Sequence, residues 1–285
     1  MVFRKNIIYL LILILFSVWL SVFSIDNNLH VIACDVGQGD AILIQRNKTQ
    51  ILIDSGSNNR VLDCLGKYMP FFDKDIELVI STHVDKDHSG GFPDVFGSYK
   101  INNFLTNRLD NPKFSNQNIE LLRKVVGGSG TKVIYPSKGT TIRVGMIYLD
   151  ILNPEGEDQI SNIKNQNLKT NDTSIVILLR YDQFKGLFLG DLELNVSEDL
   201  FADLQVRPLD YIKISHHGSR NGTSKKLLEL LMPKIAVISV GKNSYGHPNK
   251  ETIKILKDME VKILRTDEMG DIVIKTDGES FWAIK

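Results

Sequence analysis

The sequence predicts an α/β fold of four layers, an αββα sandwich with two sheets face to face and helices outside, preceded by one N-terminal hydrophobic helix. Three observations predict it. From Leu29 onward short β-type runs alternate with stretches of helical spacing. The strand runs cluster twice, and helical stretches follow each cluster, as stacked sheets with outer helices require. Ahead of them lies an apolar run with no charge between Lys5 and Asp26.

In that first segment Arg4 and Lys5 precede an apolar stretch from Ile7 to Phe16, continued by Val18-Trp19-Leu20 as far as Ile25. A spanning helix needs about 20 apolar residues, and a secretory signal has the same basic start with a shorter apolar centre. Residues 1–26 are therefore read as a signal peptide or membrane anchor, with Val22-Phe23-Ser24 as the candidate cleavage point. Basic residues on the amino side keep that end in the cytoplasm, so residues 27–285 are expected outside. The expected location is the extracellular face of the membrane, or secretion.

The remainder, 27–285, reads as one domain, because nothing in its middle has linker composition. Strands are expected at 30–34, 41–44, 51–53, 78–80, 144–149, 174–180, 186–189, 211–214, 235–240, 261–264 and 272–275. Helical spacing occurs at 60–68, 119–126, 197–204, 225–231 and 252–259, with Asn249 as a cap for the last. The stretch 153–171, rich in Asn, Gln, Glu and Lys, reads as a surface loop. With 34 basic and 34 acidic side chains there is no global basic field to draw nucleic acid or anionic membrane. Cys34 and Cys64 form neither a C-x-x-C pair nor a zinc-knuckle spacing. Cys34 fits a small core residue, and the spacing gives no support for a disulfide.

Five of the six histidines fall in three motifs, each after an apolar strand run. The first is Thr82-His83-Val84-Asp85-Lys86-Asp87-His88-Ser89-Gly90-Gly91. The second is Ser215-His216-His217-Gly218-Ser219, and the third Tyr245-Gly246-His247-Pro248. Imidazoles and carboxylates at strand ends are what a catalytic metal centre needs. Spacing of i, i+2, i+4 and i+5 cannot put all four ligands of the first motif on one metal. It offers His83 with Asp85 to one ion and Asp87 with His88 to a second, and Gly90-Gly91 let the backbone turn closely behind them.

Taken in order, these motifs resemble the metallo-β-lactamase fold family, and within it the extracellular hydrolase domain of ComEC-like DNA-uptake proteins. The same resemblance takes in Asp35-Val36-Gly37-Gln38-Gly39-Asp40-Ala41, Ile53-Asp54-Ser55-Gly56, Asn171-Asp172-Thr173-Ser174 and Leu189-Gly190-Asp191. Asp85 stands where most of the family has a second histidine, as in the ComEC-like branch. The resemblance implies an αββα sandwich with two divalent ions, Zn²⁺ or Mn²⁺, between the sheets at one edge. It implies His83 and Asp85 as first-metal ligands, Asp87, His88 and His247 as second-metal ligands, and Asp191 as the bridging carboxylate. No histidine occupies the remaining first-metal position, where Asp172 is the replacement. Asp40 and Asp54 are expected to orient metal-bound histidines or to stabilise turns.

His216 and His217 have two readings, one completing the metal shell and the other donating a proton to the leaving oxygen, and the sequence does not say which does which. With Asp87 they form the expected catalytic group. Ser219, backed by a helix from Thr223, together with Arg220 and Lys242, is expected to hold substrate phosphate. Between Tyr211 and Lys257 nine Lys or Arg residues face only Glu229 and Glu251. A rim that includes Lys213, Arg220, Lys225, Lys226, Lys242 and Lys250 suits an anionic phosphodiester. The expected function is an exported phosphodiesterase, a nuclease acting on DNA through a metal-bridged hydroxide. Alternatives are hydrolysis of another extracellular ester, a cell-envelope phosphodiester or a lactone, or a non-catalytic DNA-binding or assembly partner at the membrane. Nothing in the sequence fixes an oligomeric state.

Overall fold

The computed structural model describes residues 2–22, 26–107, 116–155, 170–202 and 206–284. Two sheets form the centre. The first has eight strands and begins with β1 (Leu29–Ala33), β2 (Ile42–Arg46), β3 (Thr49–Ile53), β4 (Asp75–Ser81), β5 (Lys100–Thr106) and β6 (Lys132–Ile134). The second has seven: β7 (Thr141–Val144), β8 (Ile147–Asn153), β9 (Val176–Tyr181), β10 (Phe184–Phe188), β11 (Tyr211–Lys213), β12 (Ile235–Ile238) and β13 (Lys262–Arg265). The chain then returns to the first sheet with β14 (Ile272–Thr276) and β15 (Phe281–Ile284), giving the order β15-β14-β1-β2-β3-β4-β5-β6. The second sheet runs β13-β12-β11-β10-β9-β8-β7.

Each sheet is half parallel. Strands β3 to β6 are mutually parallel, as are β10 to β13, while the hairpin halves are antiparallel. Parallel strands covered on both faces read as continuous apolar runs, which is why Leu78-Val79-Ile80 and Ile235 to Ile238 were legible. Three separate cores make the four layers. Val31, Ile51, Ile80, Ile177, Phe188 and Val237 pack between the sheets. Leu52, Val79, Phe92, Phe104 and Leu122 pack under the first helical layer. Leu187, Ile212, Leu227, Ala236 and Leu256 pack under the second.

The helices among the described residues are α1 (Val2–Val22), α2 (Arg60–Tyr68), α3 (Lys86–Ser89), α4 (Phe92–Ser98), α5 (Gln117–Ser129), α6 (Leu194–Ala202), α7 (Lys225–Leu231), α8 (Lys250–Asp258) and α9 (Thr266–Met269). Their ends follow from capping chemistry. Asn116 Oδ1 accepts from the Ile119 amide to start α5, Ser224 Oγ from Leu227 to start α7, and Asn249 Oδ1 from Glu251 to start α8. The helix after the second motif therefore begins at Lys225 rather than Thr223. Strand 235–240 stops at Ile238, and the expected strand 144–149 resolves into the hairpin β7–β8. Most of the loop expected at 153–171 lies outside the described residues.

Of α1, side chains are described at 5–7 and 9–17, and Tyr9 through Phe16 are all exposed. Among the described residues no helix is long and apolar enough to cross a membrane. Cys34 and Cys64 are both buried, as a core reading requires, and they are joined as a disulfide between Cα atoms 5.8 Å apart. The pair is brought together by α2 packing on the strand end after β1. That contact is tertiary, so spacing alone could not reveal it.

Candidate metal centre

The parallel strands of both sheets end at one edge of the sandwich, and the three histidine motifs follow those ends. His83 sits two residues past β4, Asp191 three past β10 and His216 three past β11. His83, His88, Asp191 and His217 are all buried.

Each of the three buried histidines is held by its Nδ1. His88 Nδ1 donates to Asp54 Oδ2 at 2.8 Å, and His217 Nδ1 donates to the Ser239 carbonyl at 2.9 Å. Thr82 Oγ1 donates to Asp54 Oδ2 at 2.7 Å, so the 3.0 Å contact from Thr82 Oγ1 to His83 Nδ1 is donated by the imidazole. With Nδ1 engaged in each case, each ring turns its Nε2 inward. Asp54 itself sits at φ 58 and accepts the Thr82 amide at 2.8 Å, which locks this orienting carboxylate in place.

The inward atoms are unsatisfied. His83 Nε2, His88 Nε2, His217 Nε2 and Asp191 Oδ1 are buried without a hydrogen-bond partner. His88 Nε2 lies 3.1 Å from Asp191 Oδ1, and His217 Nε2 lies 3.4 Å from Asp87 Oδ2 and 3.7 Å from Asp191 Oδ2. A lone pair facing a carboxylate oxygen at such range is tolerable only with a proton or cation between them. The donor set, imidazole nitrogens and carboxylate oxygens, fits a divalent metal.

Ligand atoms of Asp40, His88, Asp191 and His217 all lie within 4.8 Å of one another. Asp40 nonetheless approaches from the rear. It lies 3.3 Å from His217 Nδ1 and 3.9 Å from His88 Nδ1, the nitrogens opposite those that meet Asp191. Its other partner is Lys213 Nζ at 2.5 Å, in a fully buried ion pair. Asp40 thus meets the histidines on their Nδ1 side, the place of a carboxylate that orients them. Lys213 was expected on the basic rim and is instead a buried counter-ion. The signal that would have found it is a lone lysine in the otherwise apolar run Tyr211-Ile212-Lys213-Ile214, which must have a partner.

The electrostatics agree with the geometry. Burial, reinforced by His88, pushes His83 down to about 4, so it is neutral at physiological pH. Burial also opposes charge on His88 and His217, yet carboxylates win. Asp191 and Asp54 hold His88 well above the usual imidazole range, and Asp191 and Asp40 push His217 up to about 9. For Asp191, burial favours the neutral acid, but His88 and His217 hold it well below the ordinary carboxylate range. Without metal, protons shared by these pairs do what a cation would do.

The remaining expected residues lie around this centre. Asp85 is partly exposed, 3.7 Å from His83 Nε2, and accepts from Thr170 Oγ1 at 3.2 Å; burial raises its pKa. Asp172 lies in the short 3-10 turn Asn171–Thr173, next in the chain to Thr170, and its carbonyl accepts from Asn153. The His216–His217 pair is split. His217 is inside the cluster, whereas the His216 side chain is 27% exposed with Nε2 3.9 Å from Asp191 Oδ2. His247, matched in sequence to the last second-metal ligand, packs its ring 5.4 Å from that of His216, and burial with the neighbouring imidazoles lowers its pKa. It is His217 that reaches Asp87 and Asp191. Both His216 (φ 49) and His217 (φ 52) are in the left-handed region, a strained conformation that points the two rings to different sides.

Ser219 is buried and its Oγ accepts from the Asn221 amide at 3.3 Å. Arg220 pairs with Glu251 at 3.0 Å, Lys225 with Glu229 and Lys226 with Glu198, so part of the basic rim is already neutralised. Lys242 and Lys250 are exposed.

A sequence model of the metallo-beta-lactamase superfamily matches residues 34–242. The chain is 26% identical over 259 residues to ComE operon protein 3 of Bacillus subtilis (strain 168), covering 84% of this chain and 32% of that protein. It is 27% identical over 244 residues to Recombination protein 2 of Haemophilus influenzae, covering 84% of this chain and 28% of that one. The chain thus spans a third or less of the length of these relatives. Among solved structures it is similar to the metallo-beta-lactamase fold protein YhfI from Bacillus subtilis, with a TM-score of 0.60 and 13% identity, covering 87% of this chain and 100% of that one. That likeness is one of fold.

Proposed function

The chain belongs to the metallo-beta-lactamase superfamily, and from that premise we propose an exported, metal-dependent phosphodiesterase that cleaves DNA. One observation carries the reading: His88, His217 and Asp191 turn unpaired ligand atoms toward one another, with a fourth unpaired atom, His83 Nε2, facing Asp85 and a partly exposed histidine alongside. Asp87, His88, Asp191 and His217 would hold one ion, and His83 with Asp85, backed by Asp172, the other. Divalent ions, Zn²⁺ or Mn²⁺, would supply hydroxide near neutral pH and offset charge growing on phosphoryl oxygens. His216, at the rim and against His247, is the group to protonate the departing alkoxide. Ser219, which follows the histidine pair after Gly218, with Arg220 and Lys242 would meet the phosphate of an anionic substrate. A relative named for recombination is in keeping with DNA. The Cys34–Cys64 disulfide favours an oxidising compartment, and the uncharged apolar run in the sequence between Lys5 and Asp26 favours attachment at the extracellular face of the cell membrane.

The test is hydrolysis of single- and double-stranded DNA, bis-p-nitrophenyl phosphate and a lactone by the full chain with Mn²⁺, Zn²⁺ or chelator. We expect metal-dependent DNA cleavage, reduced at least about 100-fold in Asp191→Asn with folding intact. Lactone turnover alone, or DNA retention without cleavage under every metal condition, would replace the proposal with one of its competitors.

A further inference from the structure

The edge opposite the metal centre carries the point where α1 joins the body. Strand β1 starts there, with Leu29 paired to Thr276, and Asn47 of the β2–β3 hairpin donates to Asn27 Oδ1 at 3.3 Å. The loop between α2 and β4 lies on the same edge, since it leads into the start of β4, which runs parallel to β3. Its tip holds Phe71, 88% exposed, and Phe72, 61% exposed, with ring centroids 5.3 Å apart. Outside α1, Phe71 is the most exposed large apolar side chain among the described residues. Met146, 54% exposed, sits in the β7–β8 hairpin beside Thr49, again on this edge. Lys48 and Lys74 are exposed around them.

Among the described residues nothing covers Phe71 and Phe72, and an adjacent aromatic pair standing in water is unfavourable. The entry point of a helix exposing Tyr9 through Phe16 on the same edge names the occupant. We propose that this edge, with Phe71 and Phe72 foremost, rests on the lipid bilayer that receives α1, leaving the metal centre facing away from it. Aromatic rings at headgroup depth beside lysines that meet lipid phosphates are the usual composition of such a contact. The inference rests on the anchored reading above and adds an orientation to it.

A nitroxide on Phe72→Cys, in the full chain reconstituted into phospholipid vesicles, tests it by collision with oxygen and with chromium oxalate. Tyr245→Cys, on the metal-centre edge, is the comparison. We expect the label at 72 to collide preferentially with oxygen and the label at 245 with chromium oxalate. Chain that floats with vesicles but shows the same chromium oxalate access at both positions overturns the orientation while leaving the anchor standing. A label at 72 shielded from both reagents and immobilised overturns it too, in favour of a protein partner. Chain that stays out of the floated vesicles sinks both the anchor and the orientation.

Discussion

His216 and His217 are neighbours in sequence with different surroundings, and the difference is a matter of backbone angles. Two successive left-handed residues send one ring into the buried cluster and leave the other at the rim. If the rim imidazole delivers a proton to the leaving oxygen, its importance depends on how badly that oxygen needs one. His216→Gln is therefore expected to slow DNA cleavage by about 10²–10⁴-fold. Cleavage of bis-p-nitrophenyl phosphate, whose leaving group departs readily as an anion, should change far less; equal loss on both substrates in steady-state assays would refute the assignment. Sequence made the first motif legible, because His83, Asp85, Asp87 and His88 lie within six residues. It could not divide the histidine pair, since φ is not written in residue identity. Nor could it place Lys213, whose meaning depends on Asp40 arriving from the other sheet.

At the level of elements, the loop after β1 and the turn after β4 are built against each other. The Asp40 amide donates to the Asp87 carbonyl at 3.1 Å, and Gly39, at φ +131, lies so close that a Cβ there would strike the Asp87 carbonyl oxygen. Gly39→Ala is expected to cost about 1–3 kcal/mol and to displace Asp87. Denaturant unfolding would read the first effect and metal content after dialysis the second. Unchanged metal content would show that the turn tolerates the added carbon. Most strands were legible because the β-branched runs are buried on both faces. Strand β5 was not, because Asn102 and Asn103 interrupt its apolar pattern. Strand β15 alternates half-buried with exposed residues at the sheet edge, and β6 is only three residues long, so neither carries much periodic signal.

Over the whole molecule, the disulfide joins the first sheet to α2 across 30 residues of sequence. Closing a loop of that length in the unfolded chain corresponds to about 3–4 kcal/mol of stability. Cys64→Ser should lose close to that amount in urea unfolding under oxidising conditions, and reducing agent should lower the wild-type protein to the same level. Insensitivity of the wild type to reducing agent would mean that the thiols are unpaired in solution. The paired topology itself was foreseeable from two clusters of strand runs, each followed by helices. The return of the last two strands to the first sheet was not, because nothing local in Ile272 to Lys275 says which sheet accepts it.

The cage draws Asp87 and His88 from one half of the sandwich and Asp191 and His217 from the other. An ion seated there acts as a rivet through both halves, and neither half can peel away without surrendering it. Occupancy at a thousand times the dissociation constant would strengthen the native state by about 4 kcal/mol, so loading the centre doubles as a seal on the fold.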